Sequence, residues 1–110
     1  MRFGKPIGRG IRALAQRAYE AMLIFDPNAG EEKLSAVQQR IQDQIAARGG
    51  EVTRTDTWGR RRMYYPIKHL RDGHYVVLSF NADPPRVDEL DAAWRIDEDV
   101  MRHLVVRQDA

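Results

Sequence analysis

The chain has no cysteine in its 110 residues. That absence removes disulfides, thiol catalysis and cysteine-ligated zinc together, and it fits a reducing compartment. Long apolar runs are missing too, and nothing approaches the roughly 20 residues that would span a bilayer. Histidine is scarce: His69, His74 and His103 show no HxH or HxxxH spacing, so they are expected to be isolated side chains rather than metal ligands. No P-loop, GxSxG or glycine-rich phosphate cradle is present. An enzyme would need convergent polar groups that this sequence does not supply. No catalytic residue, metal, cofactor, membrane or small-molecule partner is therefore expected.

Acids are also missing from one region. Residues 1–17 carry Arg2, Lys5, Arg9, Arg12 and Arg17 with no carboxylate, a local charge of +5. Residues 18–47 hold two bases against five acids, and residues 48–71 hold seven bases against two. Residues 72–110 reverse the sign, with four bases against nine acids, so the net charge of +2 conceals two cationic segments. Fifteen of the eighteen bases are arginine, whose planar fork suits bidentate phosphate contacts better than lysine's point charge.

The order of elements is strand, helix, strand, strand, helix, strand. Residues 18–26 are short, apolar and aromatic, and Asp26-Pro27-Asn28 turns the chain. Leu34, Val37, Ile41 and Ile45 recur at spacings of three and four, predicting a helix over about 31–48 that Gly49-Gly50 stops. Residues 51–58 and 60–68 are predicted as extended, with Gly59 a bulge or bend between them. Arg71-Asp72-Gly73 has the composition of a hairpin turn before a strand at 74–82. Asp83-Pro84-Pro85 opens a second helix, with aspartate as its cap and Val87, Leu90 and Trp94 as its buried stripe. A last strand at about 100–107 completes two βαβ halves, which predicts an α+β ferredoxin-like sandwich: a four-stranded antiparallel sheet with two helices on one face. The carboxylate run Asp97-Glu98-Asp99 is expected to cap and solvate the turn before that strand.

Two strands are apolar on both sides. Tyr19, Ala21, Leu23 and Phe25 alternate with Met22 and Ile24, while Val76, Leu78 and Phe80 alternate with Tyr75 and Val77. Two helices can cover one face only, so the surplus set, Met22, Ile24, Tyr75 and Val77, is expected to dock a partner. In an RNA recognition motif aligned on Gly73, bases would stack on aromatics at His74, Val76 and Ser79. None is aromatic, so base stacking is not expected and any RNA would be held through phosphates. The stretch WGRRRMYYP at 58–66 offers that grip: Arg60, Arg61 and Arg62 point to alternate sides of an extended segment, with Arg54 before and Lys68 after. Charged edges also discourage strand-to-strand aggregation, but three successive arginines exceed that need.

From residue 17 onward the chain resembles the bacterial small-subunit ribosomal protein six family. The resemblance rests on Arg17-Ala18-Tyr19-Glu20, Asp26-Pro27, Gly49-Gly50-Glu51-Val52, WGRRRMYYPI at 58–67, Asp72-Gly73-His74-Tyr75-Val76, and LDAAWRIDEDVMRHLVVR at 90–107. It implies a structural component of the small ribosomal subunit. Such a protein binds the central domain of the small-subunit rRNA together with small-subunit protein eighteen. Arg17, Arg60, Arg61 and Arg62 occupy the family's basic motif positions, and Arg54 and Lys68 flank them. The alternative from the residues alone is a ferredoxin-like ligand-sensing or interaction domain that dimerises through its open sheet face.

Sixteen residues precede Arg17, where members of that family usually begin, and Trp94 stands where leucine is more frequent. Three readings of the extra segment stay open: an rRNA-contacting extension, an upstream start codon, or an organellar presequence. Its few hydroxyl residues argue against a presequence, and a bacterial cytoplasmic ribosome is the expected setting. The domain is placed at 17–110, with 1–16 as a flexible basic extension whose like charges and glycines leave little apolar surface to offset ordering entropy. Amide exchange in the free protein is expected to be fast across residues 3–14; slow exchange there would contradict this.

Overall fold

The computed structural model describes residues 16–67 and 70–108. Its elements are β1 (Arg17–Phe25), α1 (Glu31–Ala47), β2 (Glu51–Ile67), β3 (Leu70–Ala82), α2 (Pro84–Arg95) and β4 (Arg102–Arg107). The strands form one sheet in the order β2-β3-β1-β4, and every neighbouring pair is antiparallel. This is the ferredoxin-like βαββαβ arrangement the sequence predicts.

Each helix starts and stops where local chemistry dictates. The Asp26 carboxylate accepts the Asn28 N–H at 2.9 Å, turning the chain out of β1. Glu31 and Glu32 then sit in the first turn of α1, against its partial positive charge. At the other end Gly50 N–H bonds to the Ile45 carbonyl and Gly49 N–H to that of Ala46, both at 3.0 Å. That double closure needs Gly49 at φ +77°, a conformation glycine adopts without strain. For α2 the cap differs from expectation. Asp83 holds the N-cap position without a side-chain cap hydrogen bond. Its backbone carbonyl instead accepts the N–H groups of Arg86 and Val87, and proline at the start of the helix has no N–H and so needs no acceptor.

The helix-covered face of the sheet is the one carrying Tyr19, Ala21, Leu23 and Phe25 from β1 and Val76, Leu78, Phe80 and Ala82 from β3. Cross-strand pairs such as Tyr19 with Phe80 and Leu23 with Val76 place both sets on one side. Leu34, Val37, Ile41 and Ile45 of α1 and Val87, Leu90 and Trp94 of α2 close over them. Trp94 is fully buried, and its indole N–H donates to Gln44 Oε1 at 2.7 Å. That bond satisfies the polar edge that burial would otherwise leave unpaired. His103 meets the same ring edge-on at 5.9 Å.

The β2–β3 hairpin corrects the sequence reading. Arg71-Asp72-Gly73 is not a turn: Arg61 pairs with Gly73, Arg62 with Asp72, and the ladder continues to Ile67 opposite Leu70. The connection falls at residues 68–69, outside the described residues. Residues 51–58 and 60–68 likewise belong to one strand, Glu51–Ile67, with Gly59 at φ +77° beside a register shift. Asp-Gly marks a turn only when the ladder ends beside it; here the ladder runs past. Glycine is required at 73 for another reason. A Cβ there would collide with Ile24 Cγ2 and lie 3.5 Å from the Met63 side chain. Gly73→Ala is therefore expected to destabilise the fold by about 1–3 kcal/mol through overpacking. Urea unfolding would show a lower midpoint at unchanged slope.

Candidate nucleic-acid interface

β2 is an edge strand, so the arginine run lies where an extended partner can reach both of its sides. Register divides the three residues. Arg61 lies opposite Gly73 on the face that the helices leave open, whereas Arg60 and Arg62 lie opposite His74 and Asp72 on the other. Arg60 is engaged within the molecule: one Nη donates to Asp72 at 3.0 Å and the other to the Asn28 side chain at 3.0 Å. It thereby ties β2 to β3 and to the β1–α1 loop. Arg61 and Arg62 are exposed.

The other predicted basic residues do not join this group. Arg17 pairs with Ala82 and Arg54 with Ser79, both near the opposite end of the sheet. At about 3.3 Å per residue, Arg54 and Arg61 are about 23 Å apart along β2. The Arg54 guanidinium sits 3.8 Å from Asp56, and Arg17 donates to the Gln16 carbonyl at 3.1 Å. Lys68 lies outside the described residues.

Met22, Ile24, Tyr75 and Val77 all occupy the open face, as expected, but not all are accessible. Ile24 and Val77 are buried and form its floor, while Met22 and Tyr75 are half-buried. The accessible apolar surface comes largely from residues the sequence reading missed: Trp58 at 42% exposure, Leu104 at 59% and Val106 at 43%. Leu104 pairs with Met22 and Val106 with Glu20, which extends the open face across β4. Their alternation with His103 and Val105 was the available signal. Trp58 stacks on Tyr75 with ring centroids 6.2 Å apart and planes 13° apart. His74 and Val76, where an RNA recognition motif would carry stacking aromatics, lie instead on the helix-covered face. The open face does carry an aromatic pair, contributed by β2 and β3. Next to it, Glu20, Met22, Arg54, Asp56, Trp58 and Val77 line a hollow of about 200 Å³.

The bases of the helices are ion-paired. Arg40 forks onto the Asp97 carboxylate at 2.7 and 2.9 Å and reaches Asp99 at 3.3 Å, where Lys33 also binds. The carboxylate run does cap its turn, since Asp97 accepts the Asp99 N–H at 2.9 Å. Its main contacts, however, are to bases of α1 rather than to solvent. Among the described residues no group of carboxylates or histidines could hold a metal ion, and no helix is long and apolar enough to cross a membrane.

The fold is a ferredoxin-like sandwich with an apolar open sheet face and an arginine-bearing edge strand. Residues 18–107 match the Ribosomal protein S6 family. The chain is 46% identical over 93 residues to small ribosomal subunit protein bS6 of Carboxydothermus hydrogenoformans, covering 84% of this chain and 97% of that protein. It is 39% identical to the protein of the same name from Caldanaerobacter subterraneus, covering 84% and 98%. The crystal structure of 30S ribosomal protein S6 from Thermotoga maritima superimposes with a TM-score of 0.80 at 29% identity, over 86% of this chain and 89% of that one. The C-terminal domain of the Mycobacterium tuberculosis MgtC protein shares the fold at a TM-score of 0.62 and 11% identity. The chain belongs to the ribosomal protein S6 family.

His74 borders the Arg60 brace. It lies mid-strand opposite Arg60, with the Gln38 amide nitrogen 3.5 Å from its Nε2. Burial lowers its pKa from the usual 6.5 by disfavouring the charged form. The folded state therefore binds fewer protons here than the unfolded chain, so this residue's contribution is complete above the ordinary histidine pKa. It is lost as pH falls through the lowered value. Stability measured by denaturant between pH 7 and pH 5 should decline, and His74→Gln should flatten that limb. An identical pH profile in the variant would contradict the assignment.

Proposed function

We propose that this protein is a structural, non-catalytic component of the small subunit of a bacterial cytoplasmic ribosome. In this role it binds the central domain of the small-subunit rRNA together with small-subunit protein eighteen. Family membership supports the setting. The observation that carries the division of labour is the uncovered apolar sheet face lying beside an arginine-bearing edge strand. Protein eighteen covers the open face, with Met22 and Tyr75 as contacts over the Ile24 and Val77 floor, joined by Trp58, Leu104 and Val106. The rRNA lies along the cationic edge, gripped through phosphates at Arg60, Arg61 and Arg62 with Lys68 beyond, while Arg17 and Arg54 serve the far end. Exposed arginines on an edge suit phosphate contact because they lose little packing when they reorient toward the ligand.

A face of this kind should make the free protein a weak self-associator that its partner disperses. Trp58 reports on the event, because the second tryptophan, Trp94, is already fully buried. On adding protein eighteen, the Trp58 emission should shift to the blue. Leu104→Glu should weaken the pairing by at least about tenfold, as expected for a charge forced into a desolvated contact. Unshifted emission, together with a Leu104→Glu variant that pairs normally, would sink this docking. A stable homodimer that neither protein eighteen nor rRNA dissolves would favour the ligand-sensing alternative.

A further inference from the structure

Arginines on the helices and on the sheet are treated differently by the fold. Every base in or capping a helix has an acidic partner: Lys33 and Arg40 with Asp99, Arg48 and Arg86 with Glu89, and Arg95 with Asp91. Among the described residues, the side chains of Arg61, Arg62, Arg71 and Arg102 make no hydrogen bond or ion pair. All four lie at the same end of the sheet, the end where β2 meets β3 and where β4 begins.

Three of these share one face. Arg61 is opposite Gly73 and Arg102 opposite Ile24, both open-face positions with no carboxylate in register. Arg71 follows by alternation, since Leu70 points the other way to line a cavity with Phe25 and Leu34. Arg102 is separated from β2 by β1 and β3, about 14 Å across the strands. Its row crosses β3 at Tyr75, so Arg71, four residues further along β3, lies about 13 Å beyond that row along the strand direction. All three are exposed. The floor between them is Ile24 and Gly73, which offers no compensating charge. Guanidinium groups gathered on one face without carboxylate partners raise the local positive potential and favour an anion there.

We propose that Arg71 and Arg102, with Arg61, form a second phosphate-binding cluster that carries the RNA backbone from the β2 edge onto the end of the open face. The inference rests on the rRNA-binding reading above and adds two residues that lie outside the arginine run. Arginine rather than lysine at all three positions fits a bidentate grip on phosphate oxygens. Because the cluster sits at the rim, it leaves the apolar centre of the face to a protein partner.

The test is the salt dependence of binding to a central-domain rRNA fragment, measured with the full chain in the presence of protein eighteen. Arg71→Gln and Arg102→Gln should each make the log–log slope shallower by about 0.7–0.9, and the double variant by about 1.5. Arg95→Gln is the control, since it removes an exposed but ion-paired charge on α2 and should leave the slope as it is. A normal wild-type slope unmoved by the double variant removes the cluster alone. Weakened pairing with protein eighteen at an unchanged RNA slope also overturns it, by assigning the arginines to the protein partner. Wild-type protein with no salt-dependent RNA binding removes both the cluster and the rRNA reading. Thermal unfolding of each variant, expected to match wild type, keeps loss of fold from imitating loss of contact.

Discussion

Side chains of a strand must alternate, and two helices can cover only one side of four strands. That constraint governs the rest of this molecule. β1 and β3 are apolar on both sides, so closing α1 and α2 over Tyr19, Leu23, Leu78 and Phe80 necessarily leaves Met22, Ile24, Tyr75 and Val77 on the other. The uncovered side is partly self-protected. Gly73 lets Ile24 and Met63 approach closely, and Trp58 lies over Tyr75. What stays accessible is concentrated at Trp58, Leu104 and Val106. A face with a packed floor and an apolar, half-open rim offers a partner preorganised contacts at little ordering cost.

The same alternation splits the arginine run. Arg60 and Arg62 go to the helix side and Arg61 to the open side, so adjacent residues of like charge avoid one another and serve different surroundings. Arg60 is held by Asp72 and Asn28, giving the long hairpin a lateral tie to the β1–α1 loop. This tie is an exposed ion pair and contributes at most about 1 kcal/mol. It sets geometry more than stability. The bases of the helices, by contrast, all have acidic partners, with the Asp97–Asp99 loop strapped to α1 through Arg40 and Lys33. Positive potential is therefore left where the sheet is uncovered, which is where an extended polyanion can lie flat.

Where sequence reasoning failed, the competing physics can be named. Asp72-Gly73 has turn composition, but β2 continues past Gly59 through a bulge, and the lengthened ladder absorbs the dipeptide into β3. Glycine at 73 answers to a cross-strand contact nearly fifty residues away in sequence, a distance over which no local pattern reports. Asp83 has the side chain of a cap, yet its carbonyl does the capping. The aromatic pair on the open face is Trp58 with Tyr75, a cross-strand contact made by register.

Periodicity, caps and breakers are local, and they determined the element order, the buried stripes of α1 and α2, the glycine stop after α1 and the two-sided apolar strands. From these alone the ferredoxin-like class follows, and with it the expectation of one uncovered face. The motifs at 17–20, 58–67, 72–76 and 90–107 carried the family as well. Only tertiary structure decided which apolar set is covered, how far β2 and β3 pair, and which arginines keep their charge uncompensated. Those outcomes depend on register and on contacts between distant segments. Arg71 and Arg102 are thirty-one residues apart in sequence and come to share one face only when β4 pairs with β1.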